Sequence, residues 1–177
     1  MVRGKMTKYF HVSLKPWQIG DVIAPGGFGK ATLNVADGHL SSTPDAQGAP
    51  GIAPTTAFML MREAAIEAAR RAGYPEAPSR SQCVFVTEKI EDARAFRDRF
   101  RLGAMIYEVE VSDDAPRHHG NFEVITRPTN GAPYVASFAD MAISYWRDKP
   151  TDPGLVEILI GGPVTITGLA DQEFSEG

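Results

Sequence analysis

VEILIGGPVTITG, residues 156–168, joins two short runs of β-type residues through a Gly-Gly-Pro corner. Aliphatic and β-branched runs bounded by Gly and Pro are typical of strands, so this stretch predicts strands at 156–160 and 164–167. Glu157 is the exception, because it places a carboxylate inside an otherwise apolar run. A lone strand glutamate usually lies on an outward face or at a sheet edge. Whether this interpretation applies to Glu157 depends on the rest of the chain.

The composition predicts one globular domain over residues 1–177. A chain of 177 residues, of which 43% are hydrophobic and 23% charged, is long enough to bury a core. A formal net charge of −4 lacks the broad positive field used by proteins that coat nucleic acid, so no broad nucleic-acid-binding surface is expected. The single cysteine, Cys83, cannot form an internal disulfide, and it lies in the apolar run CVFVT. It predicts a buried thiol in a reducing compartment.

The sequence also predicts a cytoplasmic protein without a membrane partner. The N-terminal stretch MVRGKMTKYFHVS has no apolar signal region, and no segment approaches 18 consecutive apolar residues.

Hydrophobic periodicity predicts an α+β chain in which strands and helices do not alternate regularly. The predicted strands are 9–14, a short one around 22–23, 83–87, 105–111, 156–160 and 164–167; the predicted helices are 55–72, 90–101 and 137–147. Residues 31–56 and 113–135 are predicted as loops, the second with a brief strand at 122–126. The first helix has an apolar stripe that predicts its inner face: Phe58, Met61, Ala65, Ala68 and Ala72.

Two familiar motifs fail in this chain. The glycine-rich stretch APGGFGKAT has Ala24 where a phosphate-binding P-loop requires its first glycine. His118 and His119 are adjacent, so on an extended segment they point to opposite sides, and no Cys or His set at ligand spacing lies nearby. They are expected in a solvated loop, and no metal site is predicted.

Four segments, taken together and in this order, resemble those of a known protein family, although no single motif is sufficient. They are YFHVS in the first strand, SRSQCVFVTEKIEDARAF in the middle, IYEVEV after the charged helix, and VEILIGGPVTITG at the end. In this arrangement the chain resembles the ADP-ribosyltransferase superfamily. The stretches IGDVIAPG and VFVTEKIEDA are similar to the small rifampin-modifying transferases. The chain departs from the common pattern at Val12, where many members have Gly, and at Phe85, where a tyrosine is expected.

The resemblance implies a split two-sheet α+β fold with a central cleft that holds NAD as substrate. It implies that Glu157 and His11 are the catalytic residues, with Glu157 as the carboxylate and His11 as the residue that binds the ribose hydroxyls. Arg80 would meet the pyrophosphate, and Phe85 or Trp146 would provide an apolar plane for nicotinamide. The implied NAD contacts comprise His11, Val12, Ser13, Arg80, Ser81, Phe85 and Trp146.

The implied function is transfer of ADP-ribose from NAD to an unidentified acceptor, with release of nicotinamide. The acceptor could be a protein, a nucleic acid or a small molecule, and the protein could be a toxin or an antibiotic-modifying enzyme. Three alternatives stay open at this point. They are an RNA 2′-phosphotransferase of similar fold, a catalytically silent binding or assembly module, and a protein that binds some other small ligand.

Overall fold

The computed structural model describes residues 5–40, 54–126, 134–148, 150 and 155–171; within these ranges, the side chains of 35–40, 54–57, 134 and 135 are left undescribed. The strands are β1 (Met6–Ser13), β2 (Val22–Ile23), β3 (Val84–Val86), β4 (Met105–Ser112), β5 (Arg117–Asn121), β6 (Val156–Ile160) and β7 (Val164–Asp171). The helices are α1 (Gly27–Leu40), α2 (Pro54–Gly73), α3 (Ile90–Phe100), α4 (Phe122–Thr126) and α5 (Tyr134–Arg147). None of the helices described in these ranges is long and apolar enough to cross a membrane.

The strands form two antiparallel sheets, which confirms the α+β prediction. One has four strands in the order β1-β4-β7-β2, and the other has three in the order β3-β6-β5. The corner in VEILIGGPVTITG therefore passes the chain from one sheet to the other. Phe10 of β1 and Thr87 after β3 exchange two backbone hydrogen bonds of 2.8 and 2.9 Å, which join the sheets along one seam.

Two apolar clusters divide the molecule into layers. The first lies between the sheets and contains side chains from both, such as Val109 of β4 and Ile158 of β6. The second lies on the other side of the three-stranded sheet, where Leu159 packs against helical residues that include Ile66 and Tyr145. Successive strand residues point to opposite faces. Glu157 therefore shares the helix-facing side of β6 with Leu159.

The structure corrects two predicted loops. Residues 31–40, predicted as loop, continue helix α1; the remainder of that loop up to residue 53 lies outside the described residues. The first turn of α1 packs closely on the chain before β3, because a Cβ on Gly29 would lie 2.1 Å from the carbonyl oxygen of Ser81. Glycine at this position permits the contact.

The second corrected loop contains both a strand and a short helix. Residues 117–121 form β5, since pairing with β6 supplies a ladder that their weak β propensity does not predict. Residues 122–126, predicted as a brief strand, form α4 instead. The Asn121 side chain accepts a hydrogen bond from the Glu123 backbone N–H at 3.1 Å, which is the contact of a helix N-cap. Residues 127–133 lie outside the described residues.

The inner face predicted for α2 was wrong in part. Met61 is 40% exposed, and Ala68 and Ala72 are not part of the buried core. The side chain that this helix buries completely is Ile66. Alanine fits either face of a helix, so an alanine-rich pattern specifies the buried side poorly.

Glu67 of α2 holds the turn that leads from this helix into β3. Its carboxylate accepts hydrogen bonds from Arg70 at 2.9 and 3.0 Å, from Arg71 at 3.0 Å and from Ser79 at 2.9 Å. Burial by itself would raise the pKa of Glu67, but these hydrogen bonds outweigh it and lower the pKa to about 2 from an ordinary 4.5.

We predict that Glu67 stabilises the fold at neutral pH and not in strong acid. Because its pKa is depressed in the folded state, its contribution is fully present above about pH 4.5 and is lost as the pH falls toward 2. Thermal unfolding of wild type and Glu67→Gln should differ in Tm at pH 7, and the gap should shrink below pH 4.5. A gap that stays constant down to pH 2 would contradict this role.

Candidate functional site

Glu157 is a buried carboxylate, not a solvated one. It is 7% exposed on β6, the central strand of its sheet, where neither an edge nor an outward face is available. The usual interpretation of a lone strand glutamate is therefore wrong here. A buried carboxylate requires partners that replace its lost hydration.

Those partners both bind the same carboxylate oxygen. Nη1 of Arg80 donates a hydrogen bond to Oε1 of Glu157, and the Tyr145 hydroxyl donates to Oε1 at 2.7 Å. Among the described residues, no hydrogen bond falls on Oε2. The carboxylate is thus held through one oxygen.

Arg80 lies at the centre of a cluster of interacting side chains that also contains Glu63, Tyr145 and Glu157. It begins a short 3-10 turn, Arg80–Gln82, and is 5% exposed. Its Nε donates to Oε2 of Glu63 at 2.8 Å, and its Nη2 lies 3.5 Å from Oε1 of the same carboxylate. Its Nη1 also donates to the Tyr145 hydroxyl at 2.9 Å. One guanidinium therefore bridges carboxylates of α2 and β6.

Aromatic rings enclose the same guanidinium. Its central carbon lies 4.9 Å from the ring centre of Phe85, 5.2 Å from that of Tyr145 and 5.8 Å from that of Phe28. Phe28, in the first turn of α1, meets Phe85 edge-on at 5.3 Å. Cation–π contacts of this kind stabilise a desolvated charge.

The electrostatics keep Arg80 charged and Tyr145 neutral. Burial alone would lower the pKa of Arg80, but Tyr145 and Glu63 outweigh it and raise that pKa. Burial also raises the pKa of Tyr145, against the opposing effect of Arg80. Tyr145 can therefore donate its hydroxyl proton to Glu157 while it accepts from Arg80. Burial raises the pKa of the nearby Cys83 thiol to about 12, so this side chain is not a thiolate nucleophile at neutral pH.

His11 joins the cluster through Phe85. Its Nδ1 lies 2.9 Å from the backbone oxygen of Phe85, at the seam between the sheets. A carbonyl oxygen only accepts, so Nδ1 carries the proton and Nε2 is the acceptor in the neutral ring. Burial lowers the pKa of His11, against the opposing effect of the Phe85 hydrogen bond. At neutral pH, His11 is therefore an uncharged side chain.

Of the residues implicated by the sequence, the structure brings together Glu157, Arg80 and Phe85, and His11 contacts the backbone oxygen of Phe85. Other implicated residues lie elsewhere. Val12 pairs with Ile106 in the sheet, and the Ser13 hydroxyl accepts a hydrogen bond from the Trp17 indole at 3.1 Å. The Ser81 hydroxyl bonds to that of Ser79 at 2.8 Å. These contacts are local and do not reach Glu157.

Trp146 is a core residue next to the cluster. It is 4% exposed, and its indole N–H donates to the backbone oxygen of Ile66 at 2.9 Å. It also lines an open cavity of about 680 Å³ beside β5, together with His118 and His119. Those histidines, predicted in a loop, belong to strand β5, and His118 packs on Trp146 at 4.6 Å. Neither Glu157 nor Arg80 lines this cavity.

The sequence analysis assigned no role to three members of the cluster: Glu63, Tyr145 and Phe28. Glu63 lies three residues before the buried Ile66, and Tyr145 lies seven after the buried Phe138, so helical spacing puts each on an inner face. That spacing was the available signal for both. No spacing signal indicated Phe28, because its stretch was interpreted as a loop.

A family model described as a protein of unknown function (DUF2441) matches residues 52–174. The chain belongs to this family. The matched region contains Glu63, Arg80, Tyr145 and Glu157, whereas His11 and Phe28 precede it. No curated protein matches the sequence.

We predict that Arg80 is essential for stability. Arg80→Met would leave the buried Glu157 and the half-buried Glu63 without their shared cation, and breaking a buried ion pair costs about 3–5 kcal/mol. Urea unfolding of the variant and wild type measures this loss. Arg71→Met is the control, because Arg71 also pairs with a glutamate but its side chain is 75% exposed. That control should cost less than about 1 kcal/mol.

Equal losses in the two arginine variants would contradict a central role for Arg80. A second variant tests the cause of the loss. Adding Glu157→Leu to Arg80→Met removes one of the two carboxylates that have lost their contact with Arg80. The double variant should therefore be more stable than Arg80→Met alone.

Proposed function

We propose that this protein is an NAD-dependent mono-ADP-ribosyltransferase with a split two-sheet fold, and that Glu157 is its catalytic carboxylate. The observation that carries the proposal is the way in which Glu157 is held. Arg80 and Tyr145 orient it through Oε1, no hydrogen bond from a described residue falls on Oε2, and the same Arg80 guanidinium contacts the Phe85 ring. A guanidinium at hydrogen-bond distance also favours the ionised form of a carboxylate.

The chemistry needs a fixed negative charge beside the ribose. The bond between C1′ and the nicotinamide nitrogen breaks, and its electron pair leaves with neutral nicotinamide. Positive charge then develops on the ribose as in an oxocarbenium ion, and a nearby carboxylate stabilises it. The acceptor's nucleophile forms a new bond to C1′ and loses its proton to Glu157 or to water. In this step Oε2 of Glu157 accepts a hydrogen bond from the ribose 2′-hydroxyl.

Two other residues complete the proposed site. The unprotonated Nε2 of His11 accepts a hydrogen bond from a ribose hydroxyl, and its Nδ1 contact fixes the ring to the strand that carries Phe85. Phe85 offers its ring to nicotinamide. Arg80 and Phe28 already contact that ring, so a stacked nicotinamide displaces one of these contacts. Because Arg80 is engaged by carboxylates on both sides, its role is to orient Glu157, not to bind the pyrophosphate.

One observation favours a second candidate function. Glu157 is already hydrogen-bonded to two partners within the chain, as in a purely structural network. A catalytically silent binding module of the same fold would have this arrangement and would bind NAD without breaking it down.

The test is nicotinamide release from NAD by wild type, Glu157→Gln and His11→Ala. Glu157→Gln should fold, because Arg80 keeps Glu63 and the new amide oxygen still accepts from Tyr145. We expect it to lower the release rate at least about 100-fold, the scale of losing one electrostatic stabiliser of a transition state. Circular dichroism checks folding, and NAD binding is measured in the same samples by calorimetry.

Glu108→Gln is the matched control, since Glu108 is a strand glutamate of the other sheet whose ion-pair partner is the exposed Lys8. It should release nicotinamide at the wild-type rate. Binding of NAD without release, unchanged by Glu157→Gln, would support the silent module. Absence of both binding and release in wild type would exclude NAD chemistry.

A further inference from the structure

We infer that Glu63 is a positioning residue for Glu157. It fixes the guanidinium of Arg80, and it determines how strongly the positive charge of Arg80 neutralises the proposed catalytic carboxylate. This inference rests on the proposed function. Glu63 lies on α2, far in sequence from β6, and its contact with Arg80 spans 17 residues. No motif identified in the sequence includes it.

The geometry of the guanidinium links Glu63 to Glu157. Nε and Nη2 form one edge of the arginine fork, and this edge faces both oxygens of Glu63 at 2.8 and 3.5 Å. Nη1 projects from the opposite side toward Glu157 and Tyr145. A planar fork that is fixed along one edge has its remaining nitrogen fixed as well. Glu63 therefore determines where Nη1 meets Glu157.

Positive and negative groups also alternate through this part of the core. Arg62 pairs with Glu63 at 2.9 Å, Glu63 pairs with Arg80, and Arg80 pairs with Glu157. With Glu63 charged, Arg80 is shared between two carboxylates, and Glu157 keeps part of its negative field. Without that charge, Arg80 neutralises Glu157 more completely. The carboxylate then stabilises the developing charge on the ribose less well.

Glu67 provides a control within the same helix. It lies one turn after Glu63, and its ion-pair partners are Arg70 and Arg71. It also accepts a hydrogen bond from Ser79 at 2.9 Å, which the amide oxygen of a glutamine can accept as well. Glu67→Gln removes the same charge from the same helix and leaves the Arg80 contacts in place. A general effect of net charge or helix stability would therefore appear equally in both variants.

The experiment compares nicotinamide release by Glu63→Gln and Glu67→Gln. In Glu63→Gln the new amide oxygen can still accept from Arg80, so the geometry is kept and the charge is lost. We expect kcat to fall about tenfold in this variant, the scale of weakening one charged hydrogen bond. The KM for NAD should change less than about twofold, because Glu63 does not touch the ligand. Glu67→Gln should keep both constants close to those of wild type.

A second readout does not depend on activity. The Nε–H of Arg80 should give a slowly exchanging NMR signal, assigned by its absence in Arg80→Lys. Its proton shift should move upfield in Glu63→Gln, since the acceptor is no longer charged, and should stay in place in Glu67→Gln. If Glu63→Gln does not fold, Glu63→Asp shortens the same side chain by one methylene and should lower kcat at unchanged KM.

Three results would overturn the inference. They are an Arg80 signal that does not move in Glu63→Gln, a kcat equal to that of Glu67→Gln, and a loss confined to KM. If the Arg80 signal moves but wild type neither binds NAD nor releases nicotinamide, the proposed function fails. In that case the contact with Arg80 is confirmed and its role in positioning a catalytic residue is rejected.

Discussion

The buried guanidinium of Arg80 constrains the arrangement around it. A charge that is 5% exposed requires anionic partners and oriented dipoles, because its hydration is lost. Glu63 of α2 and Glu157 of β6 provide the anions, and Tyr145 of α5 provides a hydroxyl. Two helices and the central strand of the smaller sheet therefore meet at one side chain. A misplaced helix would leave at least one buried charge unpaired, which gives the network its specificity.

The position of Glu157 follows from this constraint. β6 is covered on one face by the four-stranded sheet and on the other by helices, so every side chain from Glu157 to Ile160 is buried. Apolar side chains need no hydrogen-bond partner in such a buried strand, whereas the carboxylate of Glu157 requires hydrogen bonds from Arg80 and Tyr145. Close packing of the network is also visible at Gly120 on β5, where a Cβ would lie 2.3 Å from the Tyr145 hydroxyl. The carboxylate thus has a structural role in the core.

Local signals in the sequence predicted six of the seven described strands and three of the five described helices, because neighbouring residues determine their periodicity and boundaries. VEILIGGPVTITG predicted β6 and β7, and the charged run after β3 predicted α3. Residues 117–121 could not be predicted as a strand, since their β structure depends on pairing with β6, which comes much later in the chain. Helix α1 was missed for a similar reason, because its first turn depends on glycine packing against Ser81.

The candidate site was predictable in part. Glu157 stood out as a charge in an apolar strand, and Arg80, Phe85 and His11 followed from the resemblance. Glu63 did not, because the alanines of α2 obscured which face of the helix is buried. No pattern indicated that Arg80 binds Glu157 either, since contacts across 77 residues leave no local signal. What the resemblance implied as a phosphate-binding arginine is, in the structure, a partner of the carboxylate.

The most direct measurement is a crystal structure with a carbocyclic NAD analogue, whose bond to nicotinamide cannot be cleaved in this way. We expect the 2′-hydroxyl of the analogue within hydrogen-bond distance of Glu157 Oε2, with the nicotinamide ring against Phe85. Oε1 should remain bound to Arg80 and Tyr145. An analogue bound elsewhere, for example in the cavity beside His118 and His119, would contradict a catalytic role for Glu157.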